Sequence, residues 1–339
     1  MKKTVFFDIK DYEKEYLLAN KPKECEFILI EEPFNGDIAD KLNQIKDAEI
    51  VSVFTSSMVQ AENLEKFPNL KLVAARSTGF NHVDLDYCKN KGVAVVNVPR
   101  YGDCTVAEFA FGLMIDVMRK ITLAYNNLRE GIINVQGYVG HDLLNKTIGI
   151  IGSGAIGCHA IKIAHGFGMN ILCYDPFPKK EMEEFYNVKY TDLDTLYRES
   201  DIISLHAPST KENFRMVNDE AFRKMKKGVI IVNTARGEIM DTQALYKAIK
   251  NGIVAGAGLD VLECEDVLNR EDEYLMNVDC INQECLARTL LNHKLLELPN
   301  VIVTPHVAFD SIEAIHRILK TTIDNINSYL SGQISNRVG

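Results

Sequence analysis

A chain of 339 residues, 46% hydrophobic and 25% charged, has material for two domains with sizeable cores, in ordinary globular proportions. Its formal net charge of −9 at pH 7 argues against a broad nucleic-acid surface. The richest apolar stretch, "VAEFAFGLMIDVM", contains Glu108 and Asp116 and is too short for a bilayer, so no membrane partner is expected.

The opening "MKKTVFFDIKDYEKEY" starts with Lys2 and Lys3, but its apolar run is too short for a secretory signal. A cytoplasmic location is expected from this. Over the first hundred residues, apolar runs that read as strands ("TVFFDI", "CEFILI", "EIVSVF", "LKLVAAR", "VAVVNV") alternate with helical stretches such as "DIADKLNQI" and "AENLEKF". That alternation predicts a parallel sheet covered by helices. One long helix is predicted next, over "TVAEFAFGLMIDVMRKITLAYNNL".

A second strand–helix series begins at Thr147, with strands "TIGIIG", "NILCYD", "DIISLH", "GVIIVN", "VAGAGLD" and "NVIVTPH". Their Ile and Val content suits strands buried on both faces. Helical periodicity fills the gaps, and Asn251-Gly252 makes a good helix stop. A final helix is predicted over Ser311–Leu330; the pattern leaves open whether it closes the second domain or returns to the first.

Eight cysteines are scattered at Cys25, Cys88, Cys104, Cys158, Cys173, Cys264, Cys280 and Cys285. None forms a C-x-x-C pair, so reduced thiols are expected. Cys280 and Cys285 flank "INQE", and His293 follows. The usual metal-ligand spacing is absent there, so the segment reads as surface and no metal is expected.

Gly152, Gly154 and Gly157 form G-x-G-x-x-G directly after a predicted strand. Gly152 permits a tight turn, Gly154 leaves room for a pyrophosphate, and Gly157 lets the following helix pack on the sheet. The amides of Ala155 and Ile156 would point from the helix N-terminus at the phosphates. Alone, such a turn can equally be structural. The next strand, however, ends in Asp175, about 18 residues beyond Gly157, where a ribose-binding acid belongs. A carboxylate there accepts from both ribose hydroxyls and repels a 2′-phosphate, so the expected cofactor is NAD rather than NADP.

Three further strand ends carry polar residues. Arg236 follows "VNTA", Asp260 sits in "GLDVLECE" with Glu263 and Glu265 beyond, and His306 lies in "VTPHVAF". Singly they read as a surface ion pair, a solvated loop acid and a helix-start histidine. Together they suit hydride transfer between a nicotinamide and a hydroxy acid. A histidine moves the hydroxyl proton, and a carboxylate holds the ring and favours its protonated form. An arginine grips a carboxylate and polarises the adjacent carbonyl.

On the motifs "GIIGSGAIG" with Asp175, "MKKGVIIVNTARGEIMDTQAL", "GAGLDVLECE" and "TPHVAF", the chain resembles the D-isomer-specific 2-hydroxyacid dehydrogenases over essentially its full length. The resemblance implies an α/β fold of two doubly wound parallel-sheet domains, Rossmann-like or flavodoxin-like, with a cleft between them. It places a discontinuous substrate domain at 1–101 and 305–339 and an NAD-binding Rossmann domain at 102–304. It makes Arg236 the substrate-carboxylate arginine, Glu265 the histidine's partner and His306 the acid/base. Cofactor contacts transfer to Ala155, Ile156, Asp175, Ala207, Pro208, Asn213, Thr234, Ala235, Arg236 and Asp260.

"ARSTGFNHVDLD" is similar to the family's substrate loop, with carboxylate-binding amides at Thr78 and Gly79. Tyr101 sits where the lactate-like branch has a substrate-facing tyrosine. The helix from about Thr105 is implied in a homodimer interface. Asp266 stands where many members have proline, and Cys264–Pro299 is longer and more polar than in short-loop members; both that segment and Phe309 lean toward the lactate-like branch. The expected reaction is NADH-dependent reduction of a small 2-oxo acid, pyruvate to D-lactate first. The alternatives are a 2-hydroxyisocaproate, phenyllactate, hydroxypyruvate or 3-phosphoglycerate enzyme. From another class, an NAD-sensing corepressor-like binding protein would keep the same three residues.

Overall fold

The first series of short apolar runs forms β1 (Lys2–Phe6), β2 (Cys25–Leu29), β3 (Ile50–Val53), β4 (Leu72–Ala75) and β5 (Ala94–Val96). Every residue of β3, β4 and β5 is buried, as the apolar runs require of parallel strands covered on both faces. The second series forms β6 (Thr147–Ile151), β7 (Asn170–Tyr174), β8 (Val188–Tyr190), β9 (Ile202–Leu205), β10 (Val229–Asn233), β11 (Val254–Leu259) and β12 (Val301–Val303). A final short strand, β13 (Arg337–Val338), ends the chain. This computed structural model describes residues 1–35, 39–269, 271 and 282–339.

Two compact units result. One is Met1–Tyr101 with Asp310–Gly339, and the other is Gly102–Phe309. The first holds a six-stranded sheet in the order β13-β5-β4-β3-β1-β2. Its first five strands are parallel and follow the flavodoxin-like order, and β13 pairs antiparallel with β5 (Arg337 opposite Val96). The second unit holds an all-parallel seven-stranded sheet, β12-β11-β10-β9-β6-β7-β8. Read from β8 through β11, that is the doubly wound order of dinucleotide-binding domains, which reverses between β6 and β9.

The last helix, Ile312–Leu330, belongs to the first unit, which settles what periodicity left open. Ser311 caps it through Oγ, accepting from the Ala314 amide at 3.1 Å. Its apolar stripe of Leu319, Ile323 and Ile326 packs with Phe6, Ile50 and Leu72. Buried Asn325 adds a bond from Nδ2 to the Asn97 carbonyl at 2.9 Å.

Three details depart from the sequence reading. The chain re-enters the first unit between Phe309 and Asp310, later than 304/305. The Asp260 carboxylate accepts from Thr304, Val307 and Ala308, so the segment after β12 stays with the second unit. The long helix is two, Asp103–Arg119 and Ile121–Arg129. Lys120 between them is left-handed at φ 55°, and Asp116 accepts from the Thr122 amide at 2.7 Å and its hydroxyl at 2.5 Å. These caps end one helix and start the next. Val106, Ala107, Ala110, Phe111, Leu113, Met114 and Met118 bury the first of the two, as its apolar spacing predicts.

The third departure concerns the thiols. Cys264 and Cys285 form a disulfide, whereas Cys25, Cys88, Cys158 and Cys173 are free. The expectation of reduced thiols rested on spacing along the chain, and this pair is made by tertiary packing across 21 residues. Cys285 is therefore engaged with sulfur rather than offered to a metal; Cys280 lies outside the described residues. Among the described residues no helix is long and apolar enough to cross a membrane.

Candidate active site

In a parallel sheet all strands point the same way, so the segments leaving β6, β7, β9, β10, β11 and β12 emerge at one edge. In open α/β folds that edge, near the strand-order reversal, is where ligands bind. The glycine turn leaves β6, Asp175 follows β7, and Ala207 and Pro208 follow β9. Arg236 follows β10, Asp260 follows β11 and His306 follows β12. Every residue assigned from sequence to cofactor or catalysis therefore falls within one unit and at one sheet edge.

The glycine turn has the shape its motif predicts. Gly152 sits at φ 98°, a conformation that side chains resist. A β-carbon on Gly157 would lie 2.0 Å from the Gly152 carbonyl oxygen, so only glycine lets the helix Ala155–Gly166 close on the turn. At Gly154 a β-carbon would meet nothing within 4 Å. The turn is thus tight behind and open in front of the helix start, where the first amides lack intrahelical acceptors.

Asp175 has a second task that the sequence does not announce. Its Oδ2 accepts from the Ser153 amide at 2.6 Å and the Ser153 hydroxyl at 3.0 Å, and Oδ1 accepts from the Phe177 amide at 2.8 Å. It therefore fixes the turn, and a carboxylate with about four lone-pair sites retains capacity for ribose hydroxyls. His206, buried behind the turn, pairs Nε2 with the Ser204 hydroxyl at 2.9 Å, and burial pushes its pKa down to about 4. It stays neutral near pH 7. Asn213 closes the turn after β9, accepting from the Thr210 amide at 2.8 Å and donating to the Pro208 carbonyl at 2.7 Å. Thr234 buries a hydroxyl that has no hydrogen-bond partner among the described residues. An open helix start, an acid with spare acceptor sites and an orphaned buried hydroxyl fit a dinucleotide.

The catalytic residues assigned from sequence come together. His306 Nδ1 lies 2.7 Å from Glu265 Oε1. With Nδ1–H directed at the carboxylate, Nε2 is the nitrogen left to exchange a proton. The ring is 40% exposed and the glutamate 27%, so the pair is reachable from outside yet largely desolvated. The bond to Glu265 raises the His306 pKa, opposed by burial; the charges of Glu265 and Asp260 reinforce the rise, and that of Arg236 counters it.

His306 adopts a left-handed backbone at φ 55°, which costs a branched-chain-free L-residue roughly 1–2 kcal/mol. Asp260 imposes it. The His306 amide donates to the Asp260 carbonyl at 2.9 Å. The buried Asp260 carboxylate accepts from Thr304 Oγ1 at 2.5 Å and from the amides of Val307 and Ala308 at 2.9 Å each. Burial raises the Asp260 pKa, and these bonds oppose the rise.

Arg236 is exposed, and its Nη1 donates to the Ala235 carbonyl at 2.6 Å. Buried Asn233 shapes the turn that presents it, accepting from the Ala235 amide and donating to the Arg236 carbonyl, both at 3.0 Å. Apart from Arg236, the residues assigned to substrate from sequence, Thr78, Gly79 and Tyr101, belong to the first unit. There, the Thr78 hydroxyl donates to the Val98 carbonyl at 2.9 Å, the Thr78 carbonyl accepts from Asn97 at 2.8 Å, and the Gly79 carbonyl accepts from Ser77 Oγ at 2.6 Å. These bonds fix the loop without using the amides of Thr78 or Gly79. The Tyr101 carbonyl accepts from Arg317 Nε at 2.6 Å.

Sequence reasoning passes over the supports of Glu265. Glu263 is buried; Oε1 accepts from Arg215 Nε at 2.6 Å and Oε2 from the Thr242 amide at 2.7 Å. A β-carbon on Gly237 would lie 2.1 Å from the Leu262 carbonyl oxygen, so this turn presses directly on the segment after Arg236. The glycine in "TARG" is the one signal of that contact in the sequence.

Comparison with known proteins gives the family. Residues 111–308 match the family described as "D-isomer specific 2-hydroxyacid dehydrogenase, NAD binding domain". D-lactate dehydrogenase of Escherichia coli is 38% identical over 338 residues, covering 98% of both chains. An aromatic 2-oxoacid reductase of Clostridium sporogenes is 36% identical, covering 91% of this chain and 90% of that one. The structure of D-lactate dehydrogenase from Aquifex aeolicus, complexed with NAD and lactic acid, superposes with a TM-score of 0.80 at 33% identity, covering 97% of this chain and 96% of that one.

Proposed function

The chain belongs to the D-isomer specific 2-hydroxyacid dehydrogenases, NAD-dependent oxidoreductases acting on D-2-hydroxy acids, and from that premise we propose that it reduces a small 2-oxo acid, pyruvate to D-lactate first. The observation that carries the reading is the His306–Glu265 pair on the sheet edge that presents Arg236 and the glycine turn. NADH, when bound, supplies the hydride. The amides of Ala155 and Ile156 hold its phosphates, Asp175 its ribose, and the loops at Ala207–Pro208, Asn213, Thr234–Arg236 and Asp260 complete its site.

In this reading Arg236 grips the substrate carboxylate in bidentate fashion and polarises the neighbouring carbonyl. The amides of Thr78 and Gly79 add donors to the carboxylate, and Tyr101 faces the substrate side chain. His306 Nε2 delivers the proton to the carbonyl oxygen as the alcohol forms, and Glu265 stabilises the imidazolium beforehand. In the reverse direction neutral His306 takes the hydroxyl proton.

A second substrate reading, an aromatic 2-oxo acid, draws support from the reductase of that class at 36% identity. A panel of pyruvate, 2-oxoisocaproate, phenylpyruvate and hydroxypyruvate with NADH separates the two. The expected result is NADH consumption with the highest kcat/KM on pyruvate. A phenylpyruvate optimum moves the assignment to the second reading. No oxidation with any 2-oxo acid, together with NADH-promoted binding of a short peptide, would replace both with a cofactor-sensing role.

We propose further that the chain works as a homodimer. Ile121, Tyr125 and Leu128 on the helix Ile121–Arg129 are 53–61% exposed, and Ile133, Val135 and Val139 just beyond are 87–92% exposed. So much apolar surface in one short segment marks an interaction face, and a second copy is its expected cover. Light scattering should give the mass of two chains; one chain's mass at working concentration would remove the proposal.

A further inference from the structure

One segment of the second unit has an arrangement that the dehydrogenase chemistry does not require. The helix Gln283–Leu296 presents Cys285, Arg288 and Asn292, spaced so that all three fall on one face. Each grips one of the two residues just before Glu265. Asn292 Nδ2 donates to the Glu263 carbonyl at 2.9 Å. Arg288 Nε lies 3.7 Å from Glu263 Oε2, while its Nη1 donates to Asp241 at 2.9 Å. Cys285 is bonded through sulfur to Cys264, the residue adjoining Glu265.

The turn they hold is not one that the chain adopts freely. Cys264 lies at φ 54°, in the left-handed region that favours glycine, and its carbonyl accepts from the Val267 amide at 3.1 Å to start the helix Glu265–Asn269. Glu265 is the first residue of that helix, and its direction toward His306 follows from the turn. Of the three grips, Asn292 and Arg288 are buried and permanent. The disulfide is half-buried at both ends, so a small reductant reaches it. It is also the one grip that solution chemistry can undo.

We propose that the Cys264–Cys285 disulfide is a redox-sensitive brace for Glu265, so that thiol–disulfide exchange with a dithiol tunes turnover at His306. The inference rests on the reading of Glu265 as the histidine's partner. A thiolate of the dithiol attacks one sulfur, the S–S bond breaks and a mixed disulfide forms. The dithiol's second thiol then displaces the protein cysteine. The protein gains two electrons and two protons as two thiols, and the dithiol becomes its cyclic disulfide. With the brace open, the left-handed turn relaxes and Glu265 holds His306 less well. Cys264 and Cys285 are positioning residues; neither touches substrate or cofactor.

The test uses full-length protein purified without reductant, with alkylation and mass spectrometry counting thiols before and after dithiothreitol. The readout is the pH profile of kcat/KM for NADH-driven reduction of the best 2-oxo acid. The charged groups acting on His306 are Glu265, Asp260 and Arg236, and those packed around the turn are Arg215, Glu263, Arg288, Asp241 and Glu284. Opening the disulfide is expected to lower the basic limb by about half a unit or more, a threefold or larger loss above the limb. After the reductant is removed, oxidised glutathione should restore it.

Cys285→Ser should show the lowered limb with or without reductant, and thermal melts confirm that it folds. Native enzyme treated with dithiothreitol makes the test independent of any variant. A disulfide that is absent from the purified protein, or a profile that reduction leaves unmoved, overturns the proposal. Glu265→Gln distinguishes the cause. If it lowers the limb but reduction does not, only the brace fails; if it leaves the limb in place, the reading of Glu265 fails and the brace falls with it.

Discussion

His306→Gln is expected to reduce kcat for 2-oxo acid reduction by about 10²–10⁴-fold, the range that a positioned acid contributes, with the Kd for NADH changed only a few-fold. The separation follows from geometry. His306 leaves β12, and the glycine turn and Asp175 leave β6 and β7, so removing an imidazole leaves the phosphate and ribose contacts intact. Glutamine keeps a hydrogen-bonding side chain but cannot donate a proton as an acid. Stopped-flow NADH oxidation measures the first quantity, and nucleotide fluorescence on binding measures the second. Near-normal turnover would take His306 out of the mechanism.

The pH dependence has a fixed sign. Because the bond to Glu265 raises the His306 pKa above the ordinary histidine value, the protonated form needed for reduction persists to higher pH than in a free imidazole. Reduction should be flat below that raised pKa and fall above it, and oxidation of the hydroxy acid should do the reverse. In His306→Gln the limb itself should vanish from the residual rate. A surviving limb at the same pH would belong to another group.

What the sequence disclosed, and what it withheld, divides along physical lines. Strands such as "GVIIVN" and "TIGIIG" were legible because a parallel strand buried on both faces has nothing but apolar positions to show. The glycine turn was legible because its spacing answers a local steric demand, seen as the 2.0 Å approach that a Gly157 β-carbon would make. Arg236, Glu265 and His306 could be singled out as candidates because strand ends collect polar residues at one sheet edge. The break at Lys120 was hidden, since Asp116 reads as an ordinary polar residue within a helix until it caps Thr122. The Glu263–Arg215–Arg288 network and the Cys264–Cys285 bond were hidden for a related reason. Their partners lie far apart in sequence, and tertiary packing joins them: Arg215 follows β9, and Arg288 and Cys285 lie on the helix Gln283–Leu296. The later unit boundary likewise depends on Asp260, whose reach to Ala308 no local pattern records.

Arg236→Gln is expected to lower kcat/KM for the 2-oxo acid by about 10²–10³-fold, the loss that follows removal of one strong donor from a developing oxyanion. KM should rise because the carboxylate loses its bidentate clamp, and kcat should fall because the carbonyl is less polarised. Arg236→Lys should recover part of the KM and little of kcat, since an ammonium supplies charge without the planar fork. Steady-state kinetics on pyruvate with saturating NADH reads both. The same variant makes a second, opposite-signed prediction. The Arg236 charge lowers the His306 pKa while Glu265 raises it, so Arg236→Gln should move the basic limb of reduction to higher pH and Glu265→Gln should move it lower. A pair of surface residues far from His306 would move it in neither direction, and a purely structural defect would move it the same way in both variants. Opposed shifts therefore place the arginine and the glutamate within electrostatic reach of one titrating imidazole. Shifts of the same sign would dismantle that arrangement, even if both variants were slow.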